Sequence, residues 1–275
     1  MSSVCDSCPS KSGCTSQDSC PSLNKNTNDN IKLVIGVASG KGGVGKSYVT
    51  SVLASKLSSM GYKVGIMDAD VTGPSIPKAF GLKGTLYANE EQKMVPMETK
   101  GGIKVVSLNL LLPDEETPVI WRGPVISGLV QQFWTDVDWG MLDVLLIDMP
   151  PGTGDVPLTV FQTVRIDGIV LVSTPQDLVS MIVAKARNMA QQMNVNILGI
   201  VDNMSYIKCP HCDEKIYLFG DDKSLNEAAA KAGLNILDTL PLDPGSTAKV
   251  DDGKAEEIGD GILDVTAGII EGMLG

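Results

Sequence analysis

The chain has 275 residues, with 22 Lys plus Arg against 33 Asp plus Glu and a formal charge of −11 at pH 7. Hydrophobic residues make up 43% and aromatics 4%, which excludes a fibrous or disordered chain, and the acidic balance argues against gripping a phosphate backbone. No apolar stretch approaches the ~20 residues that span a bilayer, and the N-terminus lacks the apolar core of a secretory signal, so a soluble, cytoplasmic protein is expected, without nucleic acid or membrane as partner.

Residues 1–30 are rich in Ser, Asn, Asp and Cys and read as a flexible tail, ordered only if something binds it. Four of the six cysteines lie there, Cys5, Cys8, Cys14 and Cys20. In a reducing compartment such clustered thiols point to metal or redox chemistry rather than to disulfides. From Ile31 the texture changes to short apolar runs. Strands are expected at Leu33–Ala38, Lys63–Met67, Ile103–Leu108, Val144–Ile147, Gly168–Val172 and Ile197–Val201, with a shorter one at Ile236–Leu240. Continuous rather than alternating runs suit strands covered on both faces. Helical patterns lie between them at 47–59, 125–134, 177–192 and 222–232, with another near the C-terminus. The alternation predicts an α/β fold with a doubly wound, mostly parallel sheet, and residues 31–275 read as one domain.

After the first strand comes Gly40-Lys41-Gly42-Gly43-Val44-Gly45-Lys46-Ser47, which fits the phosphate-loop pattern G-x-x-x-x-G-K-[ST]. Its glycines let successive N–H groups face the phosphates of ATP, and the following helix adds its positive N-terminal dipole. Lys46 would reach the β- and γ-phosphates, and the Ser47 hydroxyl would ligate Mg²⁺. Lys46 then supplies charge and no packing, so Lys46→Ala is expected to leave the fold intact. Lys41 is a cation beyond what one loop needs, and a cation given in trans suggests two protomers facing each other across nucleotide. Two strand ends carry carboxylates. The 144–147 run ends at Asp148, placed to hold Mg²⁺ through water, and leads into the glycine-hinged loop 149–155. The second strand ends in Asp68-Ala69-Asp70, where Asp70 is the candidate for orienting or deprotonating the attacking water.

Cys209-Pro210-His211-Cys212 supplies two thiolates, too few for a closed four-ligand site. Two copies related by a two-fold axis supply four, which suits a bridging [4Fe–4S] cluster. A bridging zinc helped by His211, the single histidine, and a redox pair are the competing readings. In the C-terminal segment, Ile258, Ile262, Ile269 and Ile270 could form an apolar stripe, but residues 255–275 carry no Lys or Arg, so core packing is expected rather than an anionic-lipid anchor.

Together these residues resemble the deviant-Walker-A family of dimeric P-loop ATPases, and within it the Mrp/ApbC group of iron–sulfur cluster carriers. The resemblance rests on GKGGVGKS (40–47), MDADVTGPSIP (67–77), VIWRGP (119–124), LLIDMPPGTGD (145–155), VDNMS (201–205) and CPHC (209–212). It implies that Lys41 is the signature lysine, that Asp70 lies in switch I and Asp148 and Gly152 in switch II, and that Asn203 contacts adenine. Arg122 lies in a family-typical segment. It also implies a homodimer with a [4Fe–4S] cluster bridged by Cys209 and Cys212 of each copy. Scaffold relatives carry a tail cluster on a C-x₂-C-x₅-C core, which Cys5, Cys8 and Cys14 match, while Cys20 trails it. The implied activity is that of a slow ATP hydrolase that carries a cluster to apo iron–sulfur proteins. A partitioning or cell-division ATPase and a nitrogenase-like ATP-dependent reductase are the alternatives.

Overall fold

The computed structural model describes residues 30–70, 75–111, 123–152, 154–175, 179–219, 223–258 and 261–275. In chain order the elements are β1 (Ile31–Ser39), α1 (Lys46–Ser59), β2 (Val64–Asp68), α2 (Ile76–Ala79), β3 (Tyr87–Ala88), β4 (Met94–Val95), β5 (Met97–Glu98), β6 (Lys104–Ser107), α3 (Gly123–Thr135), β7 (Leu142–Asp148), α4 (Asp155–Thr163), β8 (Gly168–Ser173), α5 (Val179–Gln192), β9 (Ile197–Lys208), β10 (Lys215–Ile216), α6 (Lys223–Ala232), β11 (Ile236–Pro241), α7 (Pro244–Asp251) and α8 (Asp264–Leu274).

The main sheet runs β10-β9-β8-β1-β7-β2-β6-β5, with β11 also paired to β9. Its long pairings are parallel: Val37 sits beside Asp148 and Val170, and Asp68 beside Asp148 and Ser107. Among the described residues, only the short β5 and β10 run antiparallel to it. The phosphate loop leaves β1, whose neighbours β7 and β8 lead to opposite halves of the sheet. This is the topological switch point at which open α/β sheets bind ligands.

Two apolar clusters cover the two faces, as the continuous strand patterns require. One packs Phe133 and Trp134 of α3, Val160 and Phe161 of α4, Val183 of α5 and Leu225 of α6 against the sheet. The other packs Val49, Leu53 and Leu57 of α1 with Ile76, Ala267 and Ile270. Helix α1 also buries hydroxyls. Ser51 and Ser55 each donate to the carbonyl four residues back, at 2.8 and 2.9 Å, so these polar groups enter the core satisfied. Ile258 and Ile270 are core residues with Ile262 packed beside them, which bears out the packing reading for these three; Ile269 is half-buried.

The expected strands and helices are present; α2, β5 and β10 were not expected, and three further differences have a physical reason. Strand β9 continues past Val201 to Lys208, because Asp202, Asn203 and Ser205, which interrupt the apolar run, are buried within the sheet. Helices α4 and α7 were not legible. The first carries Pro157 in its opening turns and follows a Gly-Pro loop, while the second is eight mostly polar residues announced only by its Asp243 cap. The hairpin of β3 and β4 is two residues per strand, too short for any periodicity to register.

Candidate functional site

The loop from Gly40 to Gly45 turns on glycines with left-handed backbone, Gly43 at φ 78° and Gly45 at φ 77°. Gly45 is also the N-cap of α1, and no side chain caps that end, so its first N–H groups face the loop. Ser39 donates its hydroxyl to Lys41 O at 3.0 Å, and Gly152 donates its N–H to Ser39 O at 2.8 Å. The loop after β7 is thereby tied to the end of β1.

Lys46 is 5% exposed, and its Nζ lies 2.7 Å from Asp148 Oδ1 and 3.2 Å from Asp70 Oδ2. Ser47 Oγ donates to Asp148 Oδ2 at 2.5 Å, and Thr50 Oγ1 to Asp148 Oδ1 at 2.9 Å. The structure therefore brings Lys46, Ser47, Asp70 and Asp148 together as the sequence expects. It corrects one expectation. Lys46 is not a surface charge that can be removed freely, because Lys46→Ala would leave a fully buried carboxylate without its ion-pair partner.

Asp68 is the neighbour that sequence reasoning left without a role. It is 1% exposed, stands beside Asp148 in the β2–β7 register, accepts from Ser107 Oγ at 2.8 Å and takes the Asp70 N–H at 3.1 Å. Burial pushes the carboxyls of both Asp68 and Asp148 upward; Asp148 adds to the rise at Asp68, while Lys46 opposes the rise at Asp148. Three carboxylates around one ammonium leave local negative charge, and the donors beside Lys46 are hard oxygens. That set fits Mg²⁺, which Ser47 and Asp148 would hold. Thr50 was also missed, although its position one turn beyond Lys46 was a usable signal.

Beside the loop, Tyr48, Asn203, Met204, Leu242, Asp243 and Thr247 line a cavity of about 190 Å³. Asn203 Nδ2 donates to Val44 O at 2.9 Å, so this side chain borders the cavity and grips the phosphate loop at once. Asp243 caps α7, accepting from Gly245 and Ser246 N–H groups and from the Ser246 hydroxyl; these bonds, the hydroxyl foremost, hold its carboxyl below the usual range.

The CPHC stands at the tip of the hairpin joining β9 to β10, with Cys209 N–H on Glu214 O at 2.9 Å and Asp213 N–H on Cys209 O at 3.0 Å. Cys209 is half-buried and Cys212 exposed, and both are free thiols. N–H groups of His211 and Cys212, with the Cys212 thiol, lower the Cys209 pKa. Past the thiols, Ile216, Tyr217, Leu218 and Phe219 form an exposed apolar run. Among the described residues no group of three or more His, Cys, Asp or Glu side chains could hold a metal ion, and no helix is long and apolar enough to cross a membrane. Cys5, Cys8, Cys14, Cys20 and Arg122 lie outside the described residues.

A family model described as ParA, the NUBPL iron-transfer P-loop NTPase, matches residues 30–266. The chain is 49% identical over 267 residues to an iron-sulfur cluster carrier protein of Clostridium perfringens, covering 92% of this chain and 93% of that one. It is 44% identical over 224 residues to the iron-sulfur cluster transfer protein NUBPL of Dictyostelium discoideum, covering 81% of this chain and 68% of that one. Among solved structures it resembles a nucleotide-binding protein of Archaeoglobus fulgidus in complex with ADP, at TM-score 0.75 and 46% identity over 84% of this chain and 90% of that one. It also resembles the cell division ATPase MinD of Pyrococcus furiosus, at TM-score 0.60 and 20% identity over 87% of this chain and 97% of that one, a likeness of fold alone.

Proposed function

The chain belongs to the family of NUBPL iron-transfer P-loop NTPases and is an iron–sulfur cluster carrier; on that premise we propose that it is a slow ATPase whose two copies hold one [4Fe–4S] cluster between them and deliver it to apo-proteins. The cluster is cargo, held by Cys209 and Cys212 of each copy. The observation that carries this reading is the thiol pair itself: two free thiols at one hairpin tip, half of a four-thiolate set, with the lowered Cys209 pKa favouring the thiolate that binds metal. The apolar run Ile216–Phe219 beside them gives a second copy a surface to cover.

At the other site, Gly40–Ser47 would cradle the phosphates of ATP, with Lys46 on the β- and γ-oxygens and Asn203 beside the base. Mg²⁺, where bound, would supply charge neutralisation on those oxygens, held by Ser47 and, through water, by Asp148. Asp70, 3.2 Å from Lys46 and ordered by Asp68, would orient the attacking water or take its proton. Lys41 would reach across the dimer to the nucleotide of the facing copy, and Gly152 would report the γ-phosphate through its bond to Ser39. A cell-division role receives no support, because the MinD likeness at 20% identity extends to the fold only.

The test is anaerobic reconstitution of the full chain, of Cys209→Ala and Cys212→Ala, and of a truncation lacking residues 1–30, each assayed for iron, for mass in solution and for activation of an apo-enzyme. Replacing either hairpin cysteine removes two of four thiolates from every dimer, so bridging iron and transfer are expected to collapse together. The truncation is expected to keep them. Full transfer by a protein lacking both hairpin thiols would sink the proposal.

A further inference from the structure

Strand β9 does not run evenly along β11. Thr239 pairs with Asp202 and Pro241 with Tyr206, so Leu240 alone faces Asn203, Met204 and Ser205. The surplus is taken up at Met204, which sits at φ 57°, in the left-handed region that side chains other than glycine avoid. Such a conformation persists only where its surroundings over-determine it, and bulges of this kind re-aim side chains next to functional sites.

Both re-aimed side chains reach the phosphate loop. Asn203 Nδ2 bonds Val44 O at 2.9 Å, and a Cβ placed on Gly45 would stand 3.1 Å from the Met204 methyl carbon. Both also line the cavity beside the loop. Beyond the bulge the strand is held firmly to the thiols. Tyr206 is 7% exposed, its carbonyl accepts the Leu242 N–H at 2.8 Å, and Lys215 Nζ lies 4.3 Å from its ring centroid. Ile207 and Lys208 pair with Ile216 and Lys215, and Cys209 is the next residue.

We infer that the Asn203–Met204 bulge couples the nucleotide site to the thiol pair, with Met204 as its positioning residue. The inference rests on the proposed function, which gives both sites a use. Nucleotide in the cavity and loop would press on the two bulge side chains, and the short segment of β9 beyond them would hand the displacement to the backbone of Cys209. Linkage makes the coupling reciprocal, so occupancy of the thiols shifts nucleotide affinity by the same factor.

The test uses the full chain without cluster and reads the alkylation rate of Cys209 and Cys212 separately, by peptide mass spectrometry, with and without Mg-ATP. In the wild-type protein nucleotide is expected to change the rate by ~5-fold or more, a typical coupling factor. Met204→Gly frees the backbone of its left-handed constraint and removes the side chain that stands over Gly45; read at Mg-ATP concentrations that saturate each protein, its response is expected to shrink to less than ~2-fold, with circular dichroism unchanged. Met204→Leu, which keeps a long side chain against Gly45, should retain the response. Met204→Ala serves where the glycine variant is unstable, since it removes the side chain alone, and its response should fall as well. A Met204→Gly protein that responds like the wild type, or wild-type thiols indifferent to nucleotide, would overturn the inference. Iron is not needed for this readout. Intact iron transfer with no nucleotide effect on the thiols therefore defeats the coupling alone, whereas iron binding that survives loss of both hairpin thiols defeats the carrier site alone.

Discussion

Lys46 Nζ lies 2.7 Å from Asp148 Oδ1, with Lys46 5% exposed and Asp148 fully buried, so the phosphate-loop lysine and the carboxylate at the end of β7 form one buried ion pair. Removing one member of such a pair costs about 3–5 kcal/mol, because the other charge stays buried and unpaired. Lys46→Ala is therefore expected to lose both ATP hydrolysis and stability. Adding Asp148→Asn should recover most of the lost stability and none of the activity. Denaturant unfolding of the two single variants and the double variant checks this as a cycle; stability of Lys46→Ala equal to wild type would show that the pair contributes nothing to the fold.

Asp70 faces Lys46 at 3.2 Å and receives its placement from Asp68, which accepts its N–H. A group that orients or deprotonates water acts on the transition state and not on ground-state binding. Asp70→Ala is expected to lower the turnover of ATP by ~100-fold or more, with a dissociation constant near that of the wild type. Weakened binding with unaltered turnover would make Asp70 a binding residue instead.

Much of this site is legible in the sequence. The phosphate loop, Asp148 and Asp70 sit at ends of apolar strands, where a local pattern and a local role coincide, and the CPHC announces itself by spacing. What was not readable depends on register. That Asp68 stands beside both Asp148 and Ser107 follows from the pairing of β2 with β7 and β6, and nothing in the Asp-Ala-Asp run states which strands flank it. The bulge at Met204 was hidden for a related reason. Asp202, Asn203 and Ser205 look like the polar end of a strand, and only their burial and the pairing with β11 that resumes at Tyr206 reveal that the strand continues through them. Helix α7 is polar on most of its surface and could be inferred only from its cap.

Asp68 gives a prediction with a definite sign in pH. Burial, with the charge of Asp148 added, raises its carboxyl well above the usual range, while Ser107 opposes the shift. A carboxyl raised in the folded state costs nothing below the unfolded value of about 3.9, and the cost grows as pH climbs above that value toward the folded one. Asp68→Asn keeps the shape, can still accept the Asp70 N–H, and removes the charge. Its melting temperature should exceed that of the wild type at pH 8 by ~2–4 °C for each kcal/mol relieved, with a smaller gain at pH 5.5. Calorimetry without nucleotide or metal measures both differences. A gain larger at pH 5.5 than at pH 8 would contradict the burial argument.

Two glycines of the phosphate loop, three residues apart, should differ in stability when given the same substitution. Gly45 is at φ 77°, and a Cβ there would run into the Asn203 amide and stand 3.1 Å from the Met204 methyl carbon. Gly42 has no positive φ, and a Cβ on it would meet nothing within 4 Å. Gly45→Ala must therefore adopt a left-handed backbone, at about 1 kcal/mol or more, and push Asn203 off Val44 O, which leaves a buried amide and carbonyl to find new partners at a further ~1–3 kcal/mol. Gly42→Ala should unfold like the wild type, because the added methyl group points into open space. Its effect belongs to ligand binding, where close approach of the loop backbone to phosphate leaves little room for a side chain. Thermal unfolding without nucleotide, followed by ATP titration, separates the two. Gly45→Ala is expected to lose both stability and affinity, and Gly42→Ala affinity alone. If the two proteins melted together, the grip of Asn203 and Met204 on the loop would be too loose to constrain it, and the close approach at Gly45 would carry no energetic weight.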